Sequence, residues 1–310
     1  MLGERERPRR VAGDIMPALA RQLLGNCDVG DRLPTVRSLS RAHRSSVASI
    51  HAAIATLQEM GAIETAPRGR GGTYLIGRSV GRLWAVAEDG PLVIAFPLMS
   101  SRRYEGLATA VKQVLTTAGL EVFLIFIRGS RQRLQAVRSR RCHIAVMSSF
   151  AASELCGPED SVIVRLAPRT YNTGHRVYYT PTPRTGRPLR VVVDPLSADQ
   201  QLLTTLEYVG KEVELIPAVT TQITRLIGNA QADEAVWTTD EMDAAFPVGI
   251  LDRPLSDAVV AHVCDRDTRA ILVGRFDQAA ALRVVTAGIV SDQIEHIQQA
   301  VLDGSIVAEY

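Results

Sequence analysis

The stretch of residues 30–74 constrains the fold of this chain more than any other. It reads GDRLPTVRSLSRAHRSSVASIHAAIATLQEMGAIETAPRGRGGTY. The pattern predicts a short helix after Thr35, a turn, a second helix from Ser46, and two strands joined by a tip rich in arginine and glycine. This order of elements is typical of a winged helix-turn-helix, a module whose second helix enters the major groove of DNA.

The ends and faces of the two predicted helices are marked by suitable residue types. The hydroxyls of Thr35 and Ser46 can cap the two helices, because a side-chain oxygen at that position accepts a hydrogen bond from a free backbone amide. Gly61 lies where a left-handed residue would end the second helix. The second helix also carries apolar residues at helical spacing, namely Val47, Ile50, Ile54, Leu57 and Met60. We expect this stripe to face the core of the module.

The other face of the second helix and the wing tip are the predicted DNA-binding surfaces. The helix face is small and polar, which suits contacts to phosphates and base edges, and it comprises Ser45, Ser46, Ser49 and His51. At the tip, Arg68 and Arg70 lie on a turn that neighbouring glycines permit.

The same stretch resembles the DNA-binding domain of GntR-type bacterial transcription regulators. The resemblance lies in the run VGDRLPTVRSLS, in the long second helix that ends in glycine, and in the basic wing. It implies that the DNA contacts include Arg37, Ser46, Ser49 and Gly71, with Arg68 or Arg70 at the wing. Three residues depart from the family pattern. Arg44 stands where the turn usually has glycine, and Val47 and His51 stand where arginine is common.

Charge divides the chain in the same place as the motif. Up to residue 82 there are thirteen arginines and seven acidic residues, a net charge of +6, and the remainder of the chain has a net charge of −4. A basic head on a mildly acidic body is what a DNA-binding module joined to a sensor requires.

Other classes of protein receive little support from the sequence. The four cysteines are scattered, with no Cys/His ligand spacing, so we expect no metal and no cofactor. No apolar run is long enough for a membrane span, and the first ten residues lack the apolar centre of a signal peptide. We therefore expect a cytoplasmic protein with no membrane partner. No catalytic motif is recognisable, so we assign no catalytic residues and expect no enzyme.

From residue 91 strands and helices alternate, which predicts parallel sheets with helices on both faces. Two such blocks joined by extended crossings resemble the periplasmic-binding-protein type II fold. The predicted fold class is thus an N-terminal α+β winged helix-turn-helix followed by an α/β two-lobed domain of that type. The predicted segments are a disordered tail at 1–12, the winged helix-turn-helix at 13–78, a linker at 79–90 and the ligand-sensing domain at 91–310. Within that domain, lobe one takes about 91–175 and 252–310, and lobe two about 186–251.

Ligands of open α/β sheets lie at the carboxyl ends of the strands, where helix N-termini favour anionic groups. The residues predicted to bind a ligand follow the strands of both lobes: Ser100, Ser101, Arg102, Tyr104, Ser148, Ser149, Asp194, Ser197, Thr220, Thr221 and Thr238. Hydroxyls with one arginine suit a small anionic metabolite.

The sequence as a whole predicts a ligand-responsive transcription regulator that binds operator DNA as a homodimer, and the GntR resemblance favours a repressor. Three alternatives for the body stay open. In the first, the body is an enzyme-like domain. In the second, it is the smaller ligand-binding domain that accompanies many GntR-type heads. In the third, it is a dimerisation module with an empty cleft.

Overall fold

The computed structural model of the chain describes residues 8–181, 188–219, 222–242 and 249–310, with the backbone alone described for 8–14 and 242. The chain forms two compact units. The first comprises residues up to 93 together with 112–123 and 276–289, and the second comprises 94–111, 124–275 and 290–310.

The helices and strands follow one another along the chain as predicted for a helical head and an α/β body. The helices are α1 (Pro8–Asn26), α2 (Val36–Ala42), α3 (Val47–Glu59), α4 (Val80–Glu88), α5 (Arg102–Thr117), α6 (Ser130–Arg138), α7 (Ser149–Leu155), α8 (Ala198–Glu207), α9 (Ile223–Gly228), α10 (Thr239–Met242), α11 (Asp257–Val263), α12 (Ala279–Val285) and α13 (Ser291–Leu302). The strands are β1 (Ile63–Pro67), β2 (Thr73–Arg78), β3 (Leu92–Phe96), β4 (Val122–Phe126), β5 (Ile144–Ser148), β6 (Asp160–Arg165), β7 (His175–Tyr179), β8 (Leu189–Val193), β9 (Val213–Pro217), β10 (Glu234–Thr238), β11 (Leu251–Pro254) and β12 (Ala270–Arg275). Short 3-10 turns occupy Gly69–Gly71 and Phe276–Gln278.

The winged helix-turn-helix predicted for the head is confirmed. Thr35 caps α2 by accepting a hydrogen bond from the Ser38 amide at 3.1 Å, and Ser46 caps α3 by accepting one from the Ser49 amide at 3.0 Å. Gly61 ends α3 in the left-handed region, with φ of +63°. Strands β1 and β2 then pair in antiparallel fashion as the wing. Local capping and turn chemistry thus set the boundaries of the module.

The first unit differs from prediction at both ends of the head. Helix α1 begins at Pro8, so residues 8–12 of the predicted tail are helical, and residues 1–7 lie outside the described residues. The predicted linker at 79–90 is largely helix α4, capped by the Ser79 hydroxyl and packed against α1. Its residues Leu83 and Trp84 are buried, because this apolar face completes the core of the unit.

The body contains two five-stranded sheets, in the orders β4-β3-β5-β12-β6 and β11-β7-β10-β8-β9. The prediction of purely parallel sheets is wrong, since each sheet is mixed. Strand β3 is parallel to β5, and β8 is parallel to β9 and β10. Strand β12 is antiparallel to β5 and β6, and β7 is antiparallel to β10 and β11. The antiparallel strands are those that the chain adds as it passes from one sheet to the other.

Those passages also shift the lobe boundaries. The chain leaves the first sheet after β6 and enters the second with β7, and it returns to the first with β12. Helix α11 still belongs to the second lobe, where Val259 and Val263 pack with Leu203 of α8. Lobe two therefore extends from β7 through α11, which is wider than the predicted 186–251. The two segments that cross between the sheets are 166–174 and 264–269.

No helix in the described part of the chain is long and apolar enough to cross a membrane. Among the described residues, no group of three or more histidine, cysteine or acidic side chains is placed to hold a metal ion.

Candidate functional site

The predicted DNA-binding side chains of the head differ in their exposure to solvent. Arg37, Ser46 and His51 are exposed. Ser49 is half-buried, and its hydroxyl lies 2.8 Å from that of Ser46, so the two serines form one capping pair at the start of α3. The Ser45 hydroxyl is buried in the turn without a hydrogen-bond partner. The Ser45 hydroxyl is therefore not presented at the surface of the turn.

The core face of α3 is narrower than the sequence predicts. Ile50 and Leu57 are buried as expected, and Ala53 is buried between them. Val47 and Met60 are each 45% exposed, so their assignment to the stripe is wrong. They occupy the first turn and the C-cap of the helix, beyond the length that packs on α1 and α2.

The wing tip separates its two arginines. The Arg68 guanidinium lies over the Tyr74 ring at 4.6 Å from the ring centroid, a cation–π contact that holds this side chain against the wing. Arg70 is exposed within the 3-10 turn, next to the half-buried Gly71. Arg70 is thus the wing arginine that is better placed to reach a phosphate. At the other turn of the head, Arg44 has a φ of +51°, which is the conformation that glycine favours and explains why glycine is usual there.

The second unit contains a cavity of about 360 Å³. It is lined by Pro97, Leu98, Ser100, Tyr104, Arg128, Gly129, Ser130, Arg133, Tyr171, Asn172, His175, Asp194, Ser197, Asp199, Gln200, Val219, Trp237, Thr238 and Glu241. These residues lie at the carboxyl ends of β3, β4, β8, β9 and β10, at the N-termini of the helices that follow, and on the crossing into β7. The cavity therefore lies at the carboxyl ends of the strands, where open α/β sheets bind their ligands.

Five of the predicted ligand-binding residues line this cavity: Ser100, Tyr104, Asp194, Ser197 and Thr238. Each follows a buried strand directly or lies in the first turn of the next helix. Two further predictions, Thr220 and Thr221, lie outside the described residues.

Four predicted residues do not line the cavity. Ser101 accepts a hydrogen bond from the Tyr104 amide, and Arg102 donates to the carbonyl of Val301 at the end of α13. Ser149 accepts a hydrogen bond from Arg165 at 2.6 Å. The Ser148 hydroxyl caps α7 and donates to the Asp199 carboxylate, so it touches the site only through that group. The polar groups of these four residues form hydrogen bonds within the protein instead of facing the cavity. Their partners lie on neighbouring elements and cannot be identified from the sequence alone.

The chemistry of the cavity comes largely from residues that sequence reasoning missed. Asp199 and Glu241 lie in the first turns of α8 and α10, a position that the sequence could have suggested. Tyr171, Asn172 and His175 come from the crossing into β7, and nothing local marks them.

Two arginines line the cavity in different ways. Arg133 is buried, and its guanidinium forms four hydrogen bonds within the protein. It donates to the carbonyls of Val146 and Ile127 and to the hydroxyls of Ser130 and Tyr171. Arg128 is partly exposed and donates to the buried Asp194 carboxylate at 2.6 Å. Arg133 therefore holds the wall in place, and Arg128 is the guanidinium that remains accessible from the cavity.

Two carboxylates of the cavity are buried among neutral donors. Glu241 accepts hydrogen bonds from the Ser100 hydroxyl at 2.7 Å and from the Trp237 indole N–H at 3.0 Å, and burial raises its pKa. Burial likewise raises the pKa of Asp199, against the opposing effects of the His175 charge and the Ser148 hydroxyl. Loss of hydration is the dominant influence on both groups.

His175 forms an ion pair with Asp267, with 2.7 Å between Nδ1 and Oδ2. Burial alone would lower the pKa of His175, but the hydrogen bond and charge of Asp267 outweigh it and the net pKa is raised. The pKa of Asp267 is lowered by the same contact, although burial opposes the change. Because Asp267 lies on the second crossing and His175 at the end of the first, the pair joins the two segments between the lobes.

Two models of known protein families match the chain. A family model described as the YhfZ C-terminal domain matches residues 80–310, and a helix-turn-helix domain model matches residues 28–75. The chain belongs to the YhfZ C-terminal domain family. The uncharacterized protein YhfZ of Escherichia coli (strain K12) is 28% identical over 299 residues, which cover 96% of this chain and 97% of that protein.

A solved structure of YhfZ agrees with this placement. The crystal structure of YhfZ from Shigella flexneri is 25% identical, covers 71% of this chain and 93% of its own, and has a TM-score of 0.59. The periplasmic VFT2 domain of Bordetella pertussis BvgS is similar at 18% identity over 76% of this chain and 99% of its own, with a TM-score of 0.49. That second likeness carries no argument about function.

The helix-turn-helix match indicates a DNA-binding regulator. The body of this YhfZ-family chain is an α/β domain with two mixed sheets, and its cavity lies at the carboxyl ends of their strands.

Proposed function

We propose that the chain is a one-component transcription regulator. Its head binds operator DNA, and its body binds a small-molecule effector in the cavity. The observation that carries this proposal is the joining, in one chain, of a helix-turn-helix module to a cavity lined by buried polar side chains. A regulator needs both parts, since one reads DNA and the other reports on a metabolite.

The head has the properties that DNA binding requires. It has a net positive charge, an exposed face at the start of α3, and a wing tip that carries Arg70. Phosphate contacts of this kind supply most of the affinity and make it depend on salt. By its sequence pattern we also assign the head to the GntR type, and by that resemblance we propose repression as the mode of regulation. A regulator of this kind acts in the cytoplasm, where the operator is.

The sequence predicts a small anionic effector, and we propose that the effector carries an acidic group. Arg128 is the accessible guanidinium of the described cavity lining, and it is the group that would meet an acidic substituent. We further propose that the body is not an enzyme. His175 is held by Asp267 and Arg133 is held by four oxygens, so these groups are placed for binding and support.

The proposed mechanism uses a homodimer. Operators of two half-sites are read by two heads at a fixed separation of about one helical turn of DNA. Closure of the two lobes around an effector would change that separation and so change the affinity for the operator. If light scattering gave the mass of a monomer both with and without DNA, this mechanism would be wrong.

A selection experiment tests the DNA-binding part. The full chain is incubated with a library of random-sequence duplexes, and bound duplexes are enriched, sequenced and measured by fluorescence anisotropy. We expect a two-fold symmetric motif and, for Arg37→Ala, loss of at least tenfold in affinity. Arg225→Ala is the matched control, because Arg225 is an exposed arginine on α9 of the body. Failure to enrich any motif, or equal losses in both variants, would refute the assignment.

A further inference from the structure

The cavity contains a buried amide oxygen that has no hydrogen-bond partner among the residues that the structure describes. Asn172 is 2% exposed, and its Nδ2 donates to the carbonyl of Asp267 at 3.0 Å. That bond fixes which end of the amide is oxygen, since Oδ1 in the same place would face another acceptor. Asn172 Oδ1 makes no hydrogen bond, although the residue lines the cavity. A buried acceptor left this way is destabilising unless a donor reaches it from a ligand or water.

A second buried oxygen without a described partner belongs to Thr238, at the end of β10. It is 6% exposed and lines the cavity, and its hydroxyl makes no hydrogen bond. Thr238 ends β10 of lobe two, whereas Asn172 belongs to the crossing between the lobes. Two independent elements therefore present unsatisfied oxygens to one cavity.

The two buried carboxylates extend this acceptor surface. No guanidinium, ammonium or imidazole group of the described chain lies within ion-pair distance of Glu241 or Asp199, and the hydrogen bonds to both come from neutral donors. Buried carboxylates are ordinarily paired with a cation. Among the described residues the direct partners of these two carboxylates are hydroxyl and indole donors, and the positive charges of His175 and Arg133 act on them only from beyond ion-pair distance.

Aromatic faces complete the same region. The rings of Tyr104 and Tyr171 lie 5.1 Å apart between centroids, and both residues line the cavity together with Trp237. Aromatic faces attract cations, most strongly in a water-poor site. Arg128 contributes the opposite charge from the loop after β4.

From this arrangement we propose that the effector carries an ammonium group, held by Glu241, Asp199 and the free oxygen of Asn172. An acidic substituent of the same molecule would lie on Arg128, so the ligand class is a small zwitterion of the amino-acid type. This inference rests on the proposed function, in which the cavity is the effector site. A plain dicarboxylate fits less well, because it would place its charge beside two carboxylates and the Asn172 amide oxygen, which can only accept hydrogen bonds.

Probes in matched sets test the ammonium group directly. The full chain is titrated with 4-aminobutyrate, butyrate and butylamine, and with L-glutamate, glutarate and L-glutamine, at concentrations up to the solubility of each. Binding is measured by isothermal titration calorimetry and by the fluorescence of Trp237 in a Trp84→Phe background. We expect amino-bearing probes to bind and their partners without nitrogen to bind at least tenfold more weakly.

Variants then locate the contact. Glu241→Gln keeps the shape of the side chain and removes its charge, so it should weaken the amino-bearing probes tenfold to a hundredfold. Glu212→Gln, an exposed carboxylate of the same lobe, is the control and should change nothing. Thermal melting without ligand verifies that each variant is folded.

Three results would overturn the proposal. One is binding of glutarate or butyrate more tightly than of the matching amino compound. Another is a Glu241→Gln variant, folded by its melting curve, with unchanged affinity. The third is the failure of every amino-bearing probe to bind at its solubility limit. The DNA selection is independent of these results. A chain that binds amino compounds but no DNA refutes the proposed regulator and leaves the ligand class standing.

Discussion

Replacement of Gly81 by alanine probes the packing of α4, the helix that occupies the predicted linker. A Cβ at position 81 would lie 1.9 Å from the carbonyl oxygen and 2.7 Å from the carbonyl carbon of Gly119, both of them backbone atoms of the same unit. Atoms in real structures do not approach a Cβ within 3.0 Å, so α4 or the turn after α5 would have to move by about 1 Å or more.

The expected loss of stability follows from two opposing effects. Alanine favours a helix over glycine by about 1 kcal/mol. Overpacking against a fixed neighbour is destabilising by about 1–3 kcal/mol or more, and a backbone neighbour cannot escape by changing a rotamer. A clash of this size should cost about 3 kcal/mol or more, at or above the upper end of that range. After the gain of about 1 kcal/mol from alanine, we expect the free energy of unfolding to fall by about 2 kcal/mol or more. For a unit of roughly a hundred residues this lowers the melting temperature by roughly 8 °C or more.

The assay uses the two tryptophans, one in each unit of the chain. Trp84 is buried in α4, so its fluorescence in a Trp237→Phe background follows unfolding of the first unit. Midpoints are compared, because two units need not unfold in one step. Gly228→Ala is the control, since no heavy atom lies within 4 Å of its added Cβ and the position has ordinary helical geometry. Equal midpoints for Gly81→Ala and the parent chain would show that the reasoning about this contact is wrong.

Three further predictions concern the head and the crossings. Ser46→Ala removes the cap that accepts the Ser49 amide and should lower the stability of the first unit by about 1 kcal/mol, measured by circular dichroism in urea; no change would mean that the cap is dispensable. Arg70→Ala should weaken binding to all DNA sequences alike and reduce the slope of log affinity against log salt by about 0.9, measured by anisotropy, and an unchanged slope would exclude a phosphate contact. His175→Gln should lower stability most below pH 6.5, because the raised pKa of His175 makes its ion pair with Asp267 fully stabilising there and progressively lost as pH rises through the folded pKa. Urea unfolding across this range gives the difference between the two chains, and a difference that grows with pH would contradict the assignment.

Sequence reasoning succeeded in the head because its determinants are local. The caps at Thr35 and Ser46 join atoms three residues apart, and Gly61 acts through its own backbone angle. The same logic named Ser100 and Ser197, which follow strands and line the cavity, and their binding of a ligand stays a prediction. Interactions that close within one turn of helix can be predicted from residue types alone.

The same reasoning failed where a side chain has a choice of distant partners. Ser149 occupies the expected place after β5, yet its hydroxyl accepts a hydrogen bond from Arg165 of β6, which is two strands away in the sheet. Ser148 turns to Asp199, a residue of the other lobe fifty-one positions away. Mixed sheets were missed for a related reason. Strand direction depends on which edge the chain reaches after it crosses between lobes, and β7 and β12 give no local sign of this.

The crossings explain how the cavity would act on the rest of the body. Asn172 lies on the first crossing and holds the second through the carbonyl of Asp267, and the Asp267 side chain holds His175 where the first crossing becomes β7. The Asn172 amide oxygen, which is free, is therefore carried by a residue that already links the two segments connecting the lobes. A ligand that supplies the missing donor would bind the hinge itself as well as the walls. Because a ligand shifts an equilibrium only by its difference in affinity for two states, this contact would favour closure of the lobes only to the extent that the open state lacks it.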